Sequence, residues 1–347
     1  MEFLTPETMN EFENYMMTHP NGSFMQSTKW AIVKHTWDSA GVISRDADGK
    51  IKGAVHIIYQ TVPVFGTRFM YAPRGPICDF SDRETLADLT DGIRQLGEKL
   101  NAHSFKCDPD FLASDEEYIE MFRALGYEYF KGGLNFETIQ PRFNYRLFLN
   151  GRNEEQLFAN LTQKTRYNCR LAMKKGVEIR VCGKEMLDEF VRLMSVTGER
   201  DGFNVRPKWY FEKFLDAHGE NVRLYMAFYE GKAVSGAITT RYAGKTCYVY
   251  GASDNANRNV MPNYLIQWEM IKWAIEGGCS VYDFQGVSGD LSEDNPLYGL
   301  YRFKRGFNGD LVELAGEFEI VFKPVVNKAV NAASGVREKV VKLKSGH

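Results

Sequence analysis

Several things are scarce in this sequence, and each scarcity removes a class of protein. The six cysteines are Cys78, Cys107, Cys169, Cys182, Cys247 and Cys279, and none forms a Cys-x-x-Cys pair. Neither a zinc site nor a disulfide framework is therefore expected, and the thiols read as small buried hydrophobes of a reducing compartment. No stretch reaches the ~18 apolar residues of a membrane span. The opening MEFLTPETMNEFENYMM lacks a basic flank before an apolar run, so it does not read as a signal peptide, and a soluble cytoplasmic protein is expected. Neither sign of charge is in excess: 43 Lys and Arg against 45 Asp and Glu leave a net −2. That excludes a protein that coats nucleic acid over its whole surface, though not a local basic stripe. No Ser/His/Asp, Cys/His or metal-ligand spacing is present, and no heptad pattern is sustained.

What is present is enough apolar material for two cores. The chain has 347 residues, 44% of them hydrophobic and 25% charged. Thr5-Pro6-Glu7 reads as the start of a helix running to about His19, and Gln26–Trp37 as a second helix that buries Trp30 and Val33 with Lys34 near its edge. Strands Val42–Ser44 and Lys52–Gln60 flank an Asp48-Gly49 turn, and Arg68–Ala72 follows. Ser81 is the expected cap of a helix with Leu86, Leu89, Ile93 and Leu96 on one face. Ser104–Cys107 is a strand, Glu116–Leu125 a helix closed by Gly126, and Tyr127–Phe130 a strand.

The order then repeats. Glu230-Gly231-Lys232 echoes Asp48-Gly49-Lys50, and Ser235-Gly236-Ala237-Ile238 echoes Lys52-Gly53-Ala54-Val55. Tyr248-Val249-Tyr250-Gly251 echoes Phe69-Met70-Tyr71-Ala72. The helix Pro262–Glu276, the strand Ser280–Phe284 and a short helix ending at Arg305-Gly306-Phe307 complete the second copy. A repeat this long duplicates a domain. Meander, helix, strand, helix, strand is the order of an N-acyltransferase (GNAT-like) domain. The expected fold is therefore α/β, with mixed sheets in two tandem GNAT-like acyltransferase domains: residues 1–143 plus 317–347, and residues 144–316. Between the copies, Asn153–Lys175 reads as one helix carrying Lys164, Arg166, Arg170, Lys174 and Lys175.

GNAT-like domains hold acyl-CoA through a loop of the pattern R/Q-x-x-G-x-G/A, whose glycines admit the pyrophosphate to a helix N-terminus. Here that place reads Arg258-Asn259-Val260-Met261-Pro262-Asn263. Both glycine positions are filled, and Pro262 removes a donor. Pro73-Arg74-Gly75-Pro76-Ile77 of the first copy does not fit either. Catalysis has been lost, or the acyl donor is not CoA.

The most informative stretch is Leu297–Phe307, LYGLYRFKRGF, which has helical spacing and Gly306 as its expected left-handed stop. Together with Gln26…Trp30…Lys34, Arg206-Pro207…Tyr210 and Tyr248-Val249-Tyr250, it resembles the Fem family (FemABX) of peptidyltransferases, over essentially the whole chain and in the right order. The resemblance implies an aminoacyltransferase of two GNAT-like domains. It takes aminoacyl-tRNA as donor and the pentapeptide of a peptidoglycan precursor, UDP-linked or as lipid II, as acceptor. Without sustained heptads the chain looks like the compact form that lacks a coiled-coil arm. The resemblance further implies that Lys34 and Arg206 grip the acceptor diphosphate, that Tyr210 and Tyr250 line the same groove, and that Phe303-Lys304 is the catalytic pair. An ammonium at Lys304 suits the oxyanion of a tetrahedral intermediate, a contribution of ~3 kcal/mol for one donor. Asp108 is the candidate acceptor of the amine proton, although Asp108-Pro109 also reads as a plain turn; His103 is a weaker candidate. No cofactor and no metal are expected, and the chain is expected to act as a monomer. The basic helix and the tail beyond Phe318 are candidates for tRNA phosphates. The tail, with Val340 and Leu343 between its lysines, is also a candidate for peripheral contact with an anionic membrane. The alternatives are an acyl-CoA-dependent N-acyltransferase and a non-catalytic binder of cell-wall precursors.

Overall fold

A computed structural model describes residues 1–333. The tail residues Arg337, Lys339, Val340, Lys342, Leu343 and Lys344 lie outside the described residues. The chain divides into two compact units. Unit 1 comprises Met1–Met16, Lys34–Gly132 and the chain from Ala315 onward; unit 2 comprises Met17–Val33 and Gly133–Leu314. Compared with the expected 1–143 plus 317–347 and 144–316, the main difference is that residues 17–33 count with unit 2. They include the short turn Phe24–Gln26 and α2 (Thr28–Val33), which pack on the helix Lys208–His218 of that unit through Phe24, Trp30 and Phe214, with ring centroids 5.7–6.3 Å apart.

Unit 1 contains strands β1 (Glu2–Phe3), β2 (Asp38–Arg45), β3 (Ile51–Val62), β4 (Thr67–Ala72), β5 (Ile77–Cys78), β6 (Ala102–Cys107) and β7 (Glu128–Phe130). Its helices are α1 (Met9–Thr18), whose last two residues count with unit 2, α3 (Arg83–Lys99) and α4 (Glu116–Ala124). Unit 2 runs β8 (Phe143–Phe148), α5 (Glu154–Asn160), α6 (Gln163–Lys174), β9 (Glu178–Cys182), α7 (Leu187–Asp201), α8 (Lys208–His218), β10 (Val222–Tyr229), β11 (Lys232–Tyr242), β12 (Lys245–Ser253), α9 (Pro262–Glu276), β13 (Val281–Gly286), α10 (Tyr298–Arg305) and β14 (Asp310–Glu313). Strand β15 (Glu317–Val321) returns to unit 1.

The duplication is real at the level of sheet order. In unit 1 the order is β1-β2-β3-β4-β6-β15-β7, with β5 paired to β3; in unit 2 it is β14-β8-β13-β12-β11-β10-β9. Each sheet is an antiparallel meander whose third strand meets a parallel neighbour, β4 with β6 and β12 with β13. The crossovers are α3 and α9, whose apolar faces bury Leu86, Leu89 and Ile93 in one unit and Ile266, Met270 and Ile271 in the other. In each sheet the strand inserted next to the last one is distant in sequence from its neighbours. The strand between β6 and β7 is β15, and that between β13 and β14 is β8. The return of residues 317–347 to the first domain was expected, but hydrophobic alternation along a segment does not say which strands it will pair with, so the order within each sheet was not.

Several element boundaries depart from expectation. Helix α1 begins at Met9: Thr8 precedes the first turn and accepts the Phe12 N–H at 2.9 Å. Asp82, not Ser81, caps α3, accepting the Thr85 N–H at 3.0 Å. Helix α2 ends at Val33, and the β-branched Ile32, Val33 and Thr36 favour that early stop. The expected helix 153–175 is two helices, because Thr162 leaves helical geometry to cap α6. Cys182 and Cys247 are only partly buried. Among the described residues no helix is long and apolar enough to cross a membrane.

Candidate active site

In unit 2, α10 presents two consecutive residues to different surroundings, as a 100° turn per residue requires. Lys304 is buried, and its Nζ donates to the carbonyl oxygens of Gly286 (2.7 Å) and Gln285 (3.2 Å) at the end of β13. An ammonium carries three donors; the third has no protein partner among the described residues. Burial pushes the Lys304 pKa down to about 7, and the carboxylate of Asp283 partly offsets this. Gln285 is left-handed, with φ of 62°, which a side-chain-bearing residue adopts only when something holds it there.

Phe303 instead turns toward Tyr264 and Phe307, with ring centroids at 5.1 and 5.6 Å, and lines a cavity of about 740 Å³. This cavity is bounded by the end of β12 at Ser253, the start of α9, the start of α6 and one side of α10. Lys164, Arg258, Arg302 and Arg305 line it, and no carboxylate does. Residues 258–263, which stand where a CoA loop would lie, form part of its wall. Met261 there is left-handed (φ 58°), Pro262 has no N–H, and the Tyr264 N–H is taken by Met261 O at 3.2 Å, so the backbone donors of a pyrophosphate cradle are largely gone. The sequence did not single out Tyr264 or Arg302, although Arg302 stands in LYGLYRFKRGF, and Arg258 was read only as part of the filled loop.

Gly306 does end α10, but in right-handed geometry (φ −59°); the left-handed residue is Asn308. Its glycine is needed for space, since a Cβ would sit 2.3 Å from Thr165 Oγ1. The basic face expected on 153–175 is largely used locally. Arg166 donates to the carbonyls of Ala159 (2.6 Å) and Leu161, which end α5, and Arg170 stacks 5.4 Å over Phe158.

Elsewhere in unit 2, Arg206 is exposed with its guanidinium 5.4 Å over the ring of buried Tyr210, and the Tyr210 and Tyr250 hydroxyls are 2.8 Å apart. These three expected residues are thus brought together. Burial raises both phenol pKa values, so the pair is a neutral hydrogen-bonding surface.

Lys34 and Asp108 belong to unit 1. Lys34 lies in the turn after α2, its carbonyl accepting the Trp37 N–H at 2.7 Å. Asp108 is buried and has both oxygens engaged. Oδ2 accepts the Tyr71 hydroxyl at 2.5 Å and Oδ1 the N–H of left-handed Arg74 at 2.6 Å. Burial lifts its pKa to about 6 against the pull of Arg74. His103 is buried, 3.2 Å from the Thr67 hydroxyl and stacked on Phe69, a structural setting.

Comparison with known proteins follows the same lines. The profile of the FemAB family matches residues 7–233 and 229–334. The lipid II:glycine glycyltransferase of Staphylococcus aureus (strain USA300) is 29% identical over 386 aligned positions, covering 90% of this chain and 91% of that one. The alignment exceeds the 347 residues of this chain, so the relative carries inserted residues that are absent here. A crystal structure of FemX superposes with a TM-score of 0.88 at 27% identity, over 95% of this chain and 100% of that one. A tandem GNAT protein from the clavulanic acid biosynthesis pathway, at TM-score 0.57 and 12% identity over 92% of this chain and 98% of that one, shares the fold alone.

Proposed function

This chain belongs to the FemAB family, and from that premise we propose that it moves an aminoacyl group from aminoacyl-tRNA to the side-chain amine of a peptidoglycan-precursor pentapeptide, carried on lipid II or its UDP-linked counterpart. The observation that carries the donor assignment is the cavity beside Phe303. Four cations and no carboxylate line it, at the place where a CoA cradle has been filled in. Phosphates of a tRNA 3′ end are met by Lys164, Arg258, Arg302 and Arg305, and its terminal base has the Tyr264 and Phe303 rings to stack on.

The amine attacks the ester carbonyl, a C–N bond forms, and the tetrahedral carbon carries an oxyanion. The third N–H of Lys304 meets that oxygen. Collapse breaks the ester C–O bond, and the ribose hydroxyl leaves with the proton given up by the amine. Arg206, with Tyr210 and Tyr250, takes the diphosphate of the acceptor, bidentately at the guanidinium. The scheme uses no group beyond the chain and its two substrates.

The test is transfer from purified charged tRNAs to a radiolabelled precursor, with calorimetry against acetyl-CoA in parallel. Transfer from charged tRNA, abolished in Lys304→Met, is the expected result. Tight CoA binding with no transfer from any charged tRNA would overturn the donor assignment in favour of an acyl-CoA enzyme.

A further inference from the structure

Lys304 owes its placement to a carboxylate that sequence reading did not single out. Asp283 lies on β13 directly across from Arg146 on β8 and is buried. Its Oδ2 accepts the Nε–H of Arg146 at 2.8 Å, and its Oδ1 accepts the backbone N–H of Gln285, two residues on, at 2.7 Å. The second bond closes a local turn in which an aspartate replaces a backbone acceptor. That turn holds Gln285 in its left-handed conformation, and the conformation presents the Gln285 and Gly286 carbonyls to Lys304 Nζ. Gly286 completes it, since a Cβ there would lie 2.5 Å from Pro141 Cγ.

We propose that Asp283, clamped by Arg146, is the positioning residue of Lys304: it builds the carbonyl pair that aims the ammonium and supplies a counter-charge. This rests on the reading of Lys304 as the group that meets the tetrahedral oxygen. The charged residue of β8, against which α10 packs, is Arg146, and that of β13, which supplies both carbonyls, is Asp283; Asp310 on β14 lies across from Arg146 on its other side. Arg146 competes with Lys304 for the same carboxylate, so the two partners of Asp283 affect the lysine in opposite senses.

The experiment uses the full chain carrying ε-¹³C-lysine and follows the Lys304 titration by NMR, with turnover measured in parallel. Asp283→Asn removes the counter-charge at constant volume. The titration midpoint is expected to fall by about one pH unit or more, and kcat to drop at least tenfold, with KM for both substrates within about twofold. Arg146→Met frees the carboxylate to act on Lys304 alone, so the midpoint is expected to rise. Mere loosening would expose Lys304 and raise the midpoint in both variants. A folded Asp283→Asn protein with an unchanged or raised midpoint overturns the proposal. If that variant does not fold, Arg146→Met still tests the proposal: an unchanged or lowered midpoint overturns it, and a raised midpoint supports it only with an unchanged melting temperature, which excludes loosening. Full turnover in Lys304→Met would refute the catalytic reading while leaving the midpoint shifts to stand or fall on their own.

Discussion

Thr162 places both its backbone N–H (3.1 Å) and its hydroxyl (3.0 Å) on the carbonyl oxygen of Gly306, tying the start of α6 to the end of α10 at the rim of the cavity beside Phe303. The contact is close enough that Gly306 has no room for a side chain. A Cβ would meet Thr165 Oγ1 at 2.3 Å, and that hydroxyl is buried and bonded to Thr162. Gly306→Ala must therefore push α6 away. The expected cost is about 1–3 kcal/mol, which is about 2–4 °C of melting temperature for each kcal/mol. The KM for charged tRNA should rise, because the displaced helix carries Lys164. An unchanged melting temperature and KM would show that α6 yields freely.

A second consequence concerns pH. Burial holds the Lys304 pKa down to about 7, so its ammonium population falls as pH rises through that value. If the ammonium meets the oxyanion, kcat should decline on the alkaline side of about pH 7 instead of near the ordinary lysine value. Lys304→Arg keeps its charge at all working pH values, so whatever activity it retains should lack that limb. A pH–kcat profile flat from 6 to ~9 in the wild type would show that no proton on Lys304 matters.

Asp108 invites a different expectation from the one its residue type suggests. Its two oxygens are occupied by Tyr71 and by the N–H of Arg74, so its visible task is to pin the left-handed turn that follows β4. Asparagine can serve both partners, with its oxygen facing the N–H and its amide facing the phenol oxygen. Asp108→Asn is expected to fold and to lose less than about tenfold in kcat. A loss of about 10²–10⁴, the range for a missing general base, would restore Asp108 as the acceptor of the amine proton.

The duplicated architecture could be read from the chain because turns such as Glu230-Gly231-Lys232 and strands such as Ser235–Ile238 recur in order, and local patterns set local elements. The filled CoA loop was equally visible, since glycine is the only residue that admits a phosphate so closely. What could not be read depends on contacts between distant segments. Asp283 is an unexplained carboxylate in a mostly apolar strand until Arg146, 137 positions earlier, is placed across from it. Arg166 looks like a free cation on a helix face until the chain breaks at Thr162 and leaves the carbonyls of Ala159 and Leu161 for it to satisfy. Gly306 was read as a left-handed cap because that is the common use of glycine there, whereas the neighbour Thr165 demands it for space.

That contrast among cations yields the last prediction. Arg258 and Arg302 line the cavity, whereas the guanidinium of Arg166 is spent on backbone carbonyls. Each phosphate contact with a single strand contributes about −0.7 to the slope of log affinity against log salt. Arg258→Ala and Arg302→Ala should therefore weaken binding of charged tRNA and make the slope shallower by about 0.7 each, whichever amino acid the tRNA carries. Arg166→Ala should leave the slope alone and lower the melting temperature instead, because two helix-end carbonyls lose their donor. Filter binding of charged tRNA from about 50 to 200 mM salt, with thermal melts of the same three variants, separates the outcomes. If Arg166→Ala flattens the slope and Arg302→Ala does not, the nucleic acid runs along α6, and the cavity beside Phe303 is not where its phosphates lie.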